Sequence, residues 1–193
     1  MLRRLYDWTM KWAASPQALP ALFIIAMAES SFFPIPPDLL LIPMVLAVPA
    51  KGLVYAAWCT VGSVIGGALG YLIGYQFWQW IGEPIIEFYG AAEKYAHLSE
   101  LFNQYDAWIV GIAAFSPIPY KLFTITAGAM HSDFGVFILT SLLARGARFF
   151  LVAGLLKWGG DRLRNLVEEH LNLLVTVLTV MVILGFVVIK YLL

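Results

Sequence analysis

Apolar residues run along this chain in long blocks, and two of the blocks are broken in mid-run by prolines. Residues 17–33 are apolar except for Gln17, Glu29 and two serines. Pro34, Pro36 and Pro37 interrupt the run, and residues 39–50 are apolar again. Each arm is shorter than the roughly 20 residues that a spanning helix needs. Proline removes a backbone donor and clashes with the preceding turn, and the residue before it avoids the helical region. Two short arms around such a break predict a re-entrant hairpin. Its open backbone groups are tolerated at membrane depth only where protein or a wet cavity satisfies them. A single kinked spanning helix is the other reading.

Residues 53–78 read as a full span. Gly62, Gly66, Gly70 and Gly74 recur every fourth residue, so they share one face on which another helix can approach closely. Residues 83–108 form the longest polar stretch, in which Glu83, Glu87, Glu93, Glu100 and Asp106 face only Lys94. Leu98, Leu101, Phe102 and Tyr105 keep helical spacing there, which predicts an amphipathic connector. Residues 109–130 are a second broken segment, interrupted at Pro117 and Pro119. Residues 134–157 read as a span carrying Arg145 and Arg148, 159–170 as a polar turn, and 171–192 as a final span with no charge before Lys190. At the N-terminus Trp8 and Trp12 stand one turn apart with Leu5 beside them, while Arg4 and Lys11 can reach water. That pattern predicts a short interfacial helix over 1–16. Charged and aromatic residues interrupt what would be the apolar core of a cleavable signal peptide.

The two breaks are near copies. Phe32-Phe33-Pro34-Ile35-Pro36-Pro37-Asp38-Leu39-Leu40-Leu41-Ile42 returns as Phe115-Ser116-Pro117-Ile118-Pro119-Tyr120-Lys121-Leu122-Phe123-Thr124-Ile125, with Lys121 in the place of Asp38. One span and one polar connector separate them, so the second hairpin is expected to enter from the opposite side. The predicted fold is an all-α polytopic membrane protein. It has an inverted repeat of two proline-broken re-entrant hairpins, about three full transmembrane helices and an N-terminal interfacial helix. One membrane domain covers 1–193, with repeats over 17–82 and 109–158 joined by the connector 83–108. Such paired interrupted segments point to a transporter's binding site, with both tips near the midplane.

Composition narrows the picture to the membrane. The chain has 193 residues, of which 61% are hydrophobic and 12% charged, with zero formal net charge. Its mean hydropathy is +0.81. A soluble domain carries about a quarter charged residues. No basic field argues for nucleic acid. Cys59 alone provides neither a disulfide framework nor a thiolate metal site. His97, His131 and His170 lie in or near polar connectors, no nucleophile motif appears, and the sequence implies neither a metal nor a cofactor. An intramembrane enzyme, such as a lipid phosphatase, is therefore disfavoured.

Glu29, Asp38, Lys121, Arg145 and Arg148 fall in or beside apolar segments. Each costs about 2.5–3.5 kcal/mol at a helix centre on insertion scales, so such residues pair or serve a substrate. Arg145 and Arg148 are three apart and share a helical face. Their forked donors suit a phosphate. Glu29 and Asp38 are the candidates for carrying a proton. Lys121 has a stem long enough to reach an interface. Mutual pairing that only locks the bundle is the structural alternative for all five.

At these residues the sequence resembles the DedA family, also called the VTT or SNARE-associated membrane family, and most closely its YqaA-like branch. The likeness rests on Glu29-Ser30-Ser31-Phe32-Phe33-Pro34-Ile35-Pro36-Pro37-Asp38, on Gly66-Gly67-Ala68-Leu69-Gly70-Tyr71-Leu72-Ile73-Gly74-Tyr75, and on Phe115-Ser116-Pro117-Ile118-Pro119-Tyr120-Lys121. It implies facing re-entrant hairpins and lipid translocation by a flippase or scramblase. The implied substrate is a phosphate-bearing lipid such as undecaprenyl phosphate or phosphatidylethanolamine, with proton coupling suspected for bacterial members. Many members place Arg on both sides of the second hairpin's first proline, where this chain has Ala114 upstream and Tyr120 or Lys121 downstream. A lipid phosphate is then expected to meet Lys121, Arg145 and Arg148. The implied partners are membrane lipids in a bacterial inner membrane, and a homo-oligomer is compatible with the sequence. A small-ion or solute transporter and a structural membrane organiser are the alternatives.

Overall fold

The computed structural model describes residues 17–31, 36–88, 92–116 and 119–169, together with Ser15 and Gly90. The expected interfacial helix, Pro34, Pro117 and the expected final span over 171–192 lie outside the described residues. The described chain is helical, with no strand among its elements. Helices α1 (Ala18–Ser31) and α2 (Asp38–Ala47) flank the first break, and α6 (Asp106–Phe115) and α7 (Tyr120–Ala129) flank the second. A 3-10 turn at Pro49–Lys51 opens α3 (Gly52–Phe77), which passes through a π turn at Trp78–Gly82 into α4 (Glu83–Phe88). The connector continues as α5 (Ala92–Gln104), and α8 covers Phe134–Glu169. Two helical stretches are long and apolar enough to cross a membrane, Pro49–Phe88 and Phe134–Gly159.

The helix ends follow the prolines. Pro37 precedes α2 with φ −65°, and the carbonyls of Pro36 and Pro37 accept from Leu39 and Leu40 at 3.2 and 3.0 Å. Ser116 ends α6 in extended backbone, as the residue before a proline prefers. At the end of α7, Ser132 N–H donates to the Ala127 carbonyl and His131 N–H to that of Gly128, at 3.0 and 3.1 Å. This is the double bond of a Schellman cap, with His131 at φ +53° in the left-handed place that glycine usually takes. The polar turn expected over 159–170 is a correction: α8 continues to Glu169. Gly159 and Gly160 are followed by Arg, Leu and Glu residues that favour helix strongly enough to carry it on.

α3 is the axis of the bundle, and its glycines set the distances. A Cβ at Gly62 or Gly66 would fall on the backbone of Phe23 or Met27 in α1, and one at Gly74 on the carbonyl of Ile125 in α7. Gly128 of α7 makes the reciprocal approach to the Tyr71 carbonyl. A Cβ at Gly70 would collide with the Thr124 side chain, which donates to the Ser30 carbonyl at 3.2 Å. These pairs advance together along both chains, so α1 and α7 run parallel to α3. α8 runs the other way: Phe137 lies near Gly67, Gly146 near Thr60, and the Ala153 carbonyl near Gly52. α2 leads back beside α8 toward Gly52, where Val45 packs. α6 runs beside α8 from Gly111 near Thr140 to Ser116, which Arg148 reaches.

Two apolar clusters result. One gathers Leu22, Leu41, Met44, Val45, Cys59 and Phe149 toward the Lys51 end of α3. The other gathers Tyr71, Val110, Ala114, Tyr120, Ala127 and Phe137 toward the Phe77 end. Apolar positions on the outer side of α3, such as Ile65 and Leu72, and Leu139, Leu143 and Leu155 on α8 are exposed, as lipid-facing surfaces are.

The glycine spacing makes a stability prediction. Gly66→Ala and Gly74→Ala each force apart backbones that cannot give way, and are expected to cost at least about 1–3 kcal/mol. Gly154, with open space around its Cβ position, is expected to gain about 0.5–1 kcal/mol as Ala through helix propensity. Thermal unfolding of the three purified variants in detergent checks the ranking. A Gly74→Ala protein as stable as wild type contradicts the close α3–α7 crossing.

Candidate functional site

Between the two apolar clusters lies a layer of charge. Arg145, in the middle of α8, is 2% exposed, and Glu29, near the end of α1, is 9% exposed. Arg145 Nη2 donates to Glu29 Oε2 at 2.6 Å. The same guanidinium donates through Nε to Ser63 Oγ at 2.6 Å and through Nη2 to Ser30 Oγ at 3.3 Å. Ser63 and Ser30 are 2.7 Å apart, and Ser30 Oγ donates to Glu29 Oε2 at 3.1 Å. Arg145, Ser63, Ser30 and Glu29 thus form a closed ring contributed by α8, α3 and α1. Tyr120 and Phe149 lie against the guanidinium, at 4.9 and 4.8 Å from its carbon to the ring centres. Tyr120 also hydrogen-bonds Ser141 through its hydroxyl.

The second pair joins the two breaks. Arg148 Nη2 donates to Asp38 Oδ2 at 2.5 Å, and Nη1 donates to the Ser116 carbonyl at 2.6 Å. Asp38 is in the first turn of α2, just after Pro37, and Ser116 ends α6, just before Pro117. A proline break leaves backbone carbonyls without helical partners. Arg148 satisfies one of these while neutralising the acid of the other break. A negative side chain in the first turn is also favoured by the helix dipole. One turn of α8 therefore serves both pairs, because Arg145 and Arg148 project from one side of it.

Opposite charges on Asp38 and Lys121 suggest that these two attract each other across the breaks, but the partner of Asp38 is Arg148. Arg148 reaches it because α2 packs on α8. Lys121, half-buried in the first turn of α7, has no ion pair among the described residues. Arg145 and Arg148, the candidate phosphate ligands, are both engaged with carboxylates, in the mutual pairing that the sequence also suggests. Ala114, at the position where the resemblance implies an arginine, is fully buried and packs in the cluster around Tyr71 and Tyr120. Pro36, Pro37 and Pro119 lie at the starts of α2 and α7. No group of three or more metal-ligating side chains occurs among the described residues.

Sequence reasoning assigns no role to Ser30, Ser63, Tyr120 or Ser141. Ser63 carries the readable signal. It is a hydroxyl in a long apolar run, one position past Gly62 on the side of α3 that the glycine stripe turns inward.

A family model for the VTT domain matches residues 35–157. The chain belongs to the VTT-domain, or DedA, family. Members are membrane proteins thought to be transporters. The chain is 37% identical over 186 residues to an uncharacterized protein of Haemophilus influenzae, covering 96% of both chains. It is also 37% identical to an uncharacterized protein of Histophilus somni, covering 96% of this chain and 97% of that one. No solved structure matches the chain.

The ion pairs predict strong coupling. Removing one partner strands the other as a buried, unpaired charge, at a cost of about 3–5 kcal/mol. Arg145→Met and Glu29→Leu are each expected to lower stability on that scale, whereas the double variant recovers part of the loss. A double-mutant cycle on thermal or denaturant unfolding in detergent measures it. Strictly additive effects contradict the pair.

Proposed function

We propose that this VTT-domain protein moves a phosphate-bearing lipid across the membrane, as a flippase or scramblase, with a proton coupled through Glu29 or Asp38. The observation that carries the reading is the layer of two acids and two arginines at the level where both chain breaks meet. Each arginine has a fork of donors, and each is balanced by a group that can be neutralised. A head-group phosphate offers the same forked acceptor geometry as the carboxylate it would replace. Protonation of Glu29 or Asp38 removes the competitor and leaves the guanidinium charge for the anion. Lys121, without an ion pair among the described residues, supplies a further cation in the first turn of α7. The lipid tail stays in hydrocarbon while the head group passes along the charged layer. Undecaprenyl phosphate and phosphatidylethanolamine fit this chemistry.

The reading includes two re-entrant hairpins of opposite orientation. Its support is the direction of the chain: α1 runs toward the middle of α3 and α2 returns to the Lys51 end, while α6 and α7 make the corresponding excursion from the Phe77 end. The location is the inner membrane of a bacterium. Lys51 and Lys157 lie toward one end of the bundle and the acidic connector toward the other, and the positive-inside rule makes the lysine end cytoplasmic. Single cysteines at positions 51 and 94 in a Cys59→Ala background test this with an impermeant thiol reagent. Position 94 is expected to label from outside and position 51 from within. Labelling of position 94 from the cytoplasm alone inverts the assignment.

The transport reading is tested in proteoliposomes with fluorescent lipids of several head groups. Glu29→Ala, Asp38→Ala, Arg145→Ala and Arg148→Ala are each expected to slow translocation at least about tenfold per folded molecule, the equivalent of one charge-assisted hydrogen bond. Arg148→Lys is expected to lose activity too, since an ammonium lacks the fork. Lys121→Ala is expected to do less. Wild-type rates in all four alanine variants overturn the assignment and leave the pairs as a structural lock. Transport of a small ion without lipid movement favours a solute transporter.

A further inference from the structure

Helix α5 presents three different faces, and two of them have evident partners. Its inner face holds Tyr95, Ser99 and Asn103, spaced by four. Tyr95 Oη donates to the Ala129 carbonyl at 2.6 Å, Ser99 Oγ to that of Met130 at 3.0 Å, and Asn103 Nδ2 to that of Met130 at 3.2 Å. These carbonyls are among the unpartnered acceptors at the end of α7. Trp78, in the π turn, stacks on Tyr95 with ring centres 3.8 Å apart and planes at 11°. α5 is thereby fixed across the end of the bundle, beside the last turns of α3. A second face, with Glu93, His97, Glu100 and Gln104, is exposed and polar, and water is its partner.

The third face is apolar and exposed. Leu98 is 44% exposed, Leu101 41% and Tyr105 50%, and the stripe continues on α6 through Trp108 at 73%, Ile112 at 64% and Phe115 at 50%. The spacing alternates between three and four residues without a slip, across the junction of the two helices. Single exposed apolar residues are ordinary, but six in register form a surface with a purpose. The α6 part belongs to a short apolar helix, Asp106–Phe115, whose exposed side chains suit hydrocarbon. Tyr105 and Trp108 stand at the junction, where amphipathic aromatic rings mark the edge of a bilayer.

We propose that the Leu98–Leu101–Tyr105 stripe lies in the boundary between head groups and acyl chains, so that α5 is an interfacial helix docked on the lipid surface. The occupant is the bilayer, because the stripe is continuous with the lipid-facing side of α6 and meets the membrane at its edge. Because the same helix holds the Ala129 and Met130 carbonyls, the bilayer surface bears through α5 on the end of α7. The inference does not depend on what the protein transports.

Single cysteines at 93, 98, 100, 101 and 112, in a Cys59→Ala background, carry nitroxide labels for the test. The protein is reconstituted in phosphatidylcholine vesicles, and collision with oxygen is compared with collision with a water-soluble nickel chelate. Position 112 serves as the lipid-facing reference. The oxygen-to-nickel ratio at 98 and 101 is expected to approach that of 112 and to exceed that at 93 and 100 several-fold. Equal, high nickel access at 93, 98, 100 and 101 overturns the proposal by placing α5 in water. Shielding of 98 and 101 from both reagents, with dipolar broadening that fades on dilution with unlabelled protein, overturns it in favour of a second copy. Because all the labelled positions but 98 and 101 are controls on the same or the neighbouring helix, a folding failure shows as a changed reference.

Discussion

Burying four charges in the middle of a lipid-facing bundle is the constraint to which the other features answer. A charge held far from water persists only with a counter-charge and satisfied hydrogen bonds. Here the counter-charges come from different parts of the sequence: Glu29 from α1, Asp38 from α2, Arg145 and Arg148 from α8. The chain must therefore fold so that α1 and α2 both reach the centre of α8. A break between α1 and α2 allows this, since one straight helix could not bring Glu29 to Arg145 and Asp38 to Arg148 while both arms lead back to the same end of α3. The glycines of α3 then follow as a packing requirement. Gly62 and Gly66 let α1 approach backbone to backbone, which brings Ser30 within hydrogen-bonding distance of Ser63.

The two pairs differ in construction. Around Arg145 the ring is closed by hydroxyls, which both donate and accept. Ser63 and Ser30 each accept from the guanidinium, and Ser30 passes its own proton to Glu29, so every polar group of the ring has a partner. Around Arg148 the partners are a carboxylate and a backbone carbonyl, and the carbonyl cannot donate. Arg148 is also the more exposed of the two arginines, with 16% of its side chain accessible against 2% for Arg145. On the proposed reading, Arg148 is the arginine that an incoming anion meets first, while Arg145 holds the balance behind it.

Much of the helical order was legible because it follows from period and punctuation. Prolines and short apolar arms located the breaks, and the four-residue glycine spacing located the crowded face of α3. The membrane character and the family followed from composition and from the paired motifs. What remained hidden depended on partners far apart in sequence. Nothing local distinguishes Arg148 from Lys121 as the mate of Asp38, since both are basic and both lie near a break. The choice is made by the packing of α2 on α8. The left-handed His131 and the continuation of α8 past Gly159-Gly160 were unreadable for the opposite reason. There, local preference points one way, and the surrounding bonds or the neighbouring helix formers decide otherwise.

The polar connector shows how one helix can satisfy several solvents at once. Tyr95, Ser99 and Asn103 answer the open carbonyls left where α7 ends, so the inner face is polar although it faces protein. Phe102 packs inward against the cluster around Tyr71 and Tyr120, but Leu98, Leu101 and Tyr105 are displaced outward, whereas a soluble amphipathic helix turns its apolar stripe to the core. That inversion is stable only if something apolar lies outside. In a protein whose neighbouring helix already exposes Trp108, Ile112 and Phe115, the bilayer supplies it, and the acidic edge keeps the helix from sinking further. The same distribution that looks like an ordinary amphipathic pattern in the sequence thus carries the opposite meaning for which face is buried, and only the position of the α7 carbonyls reveals it.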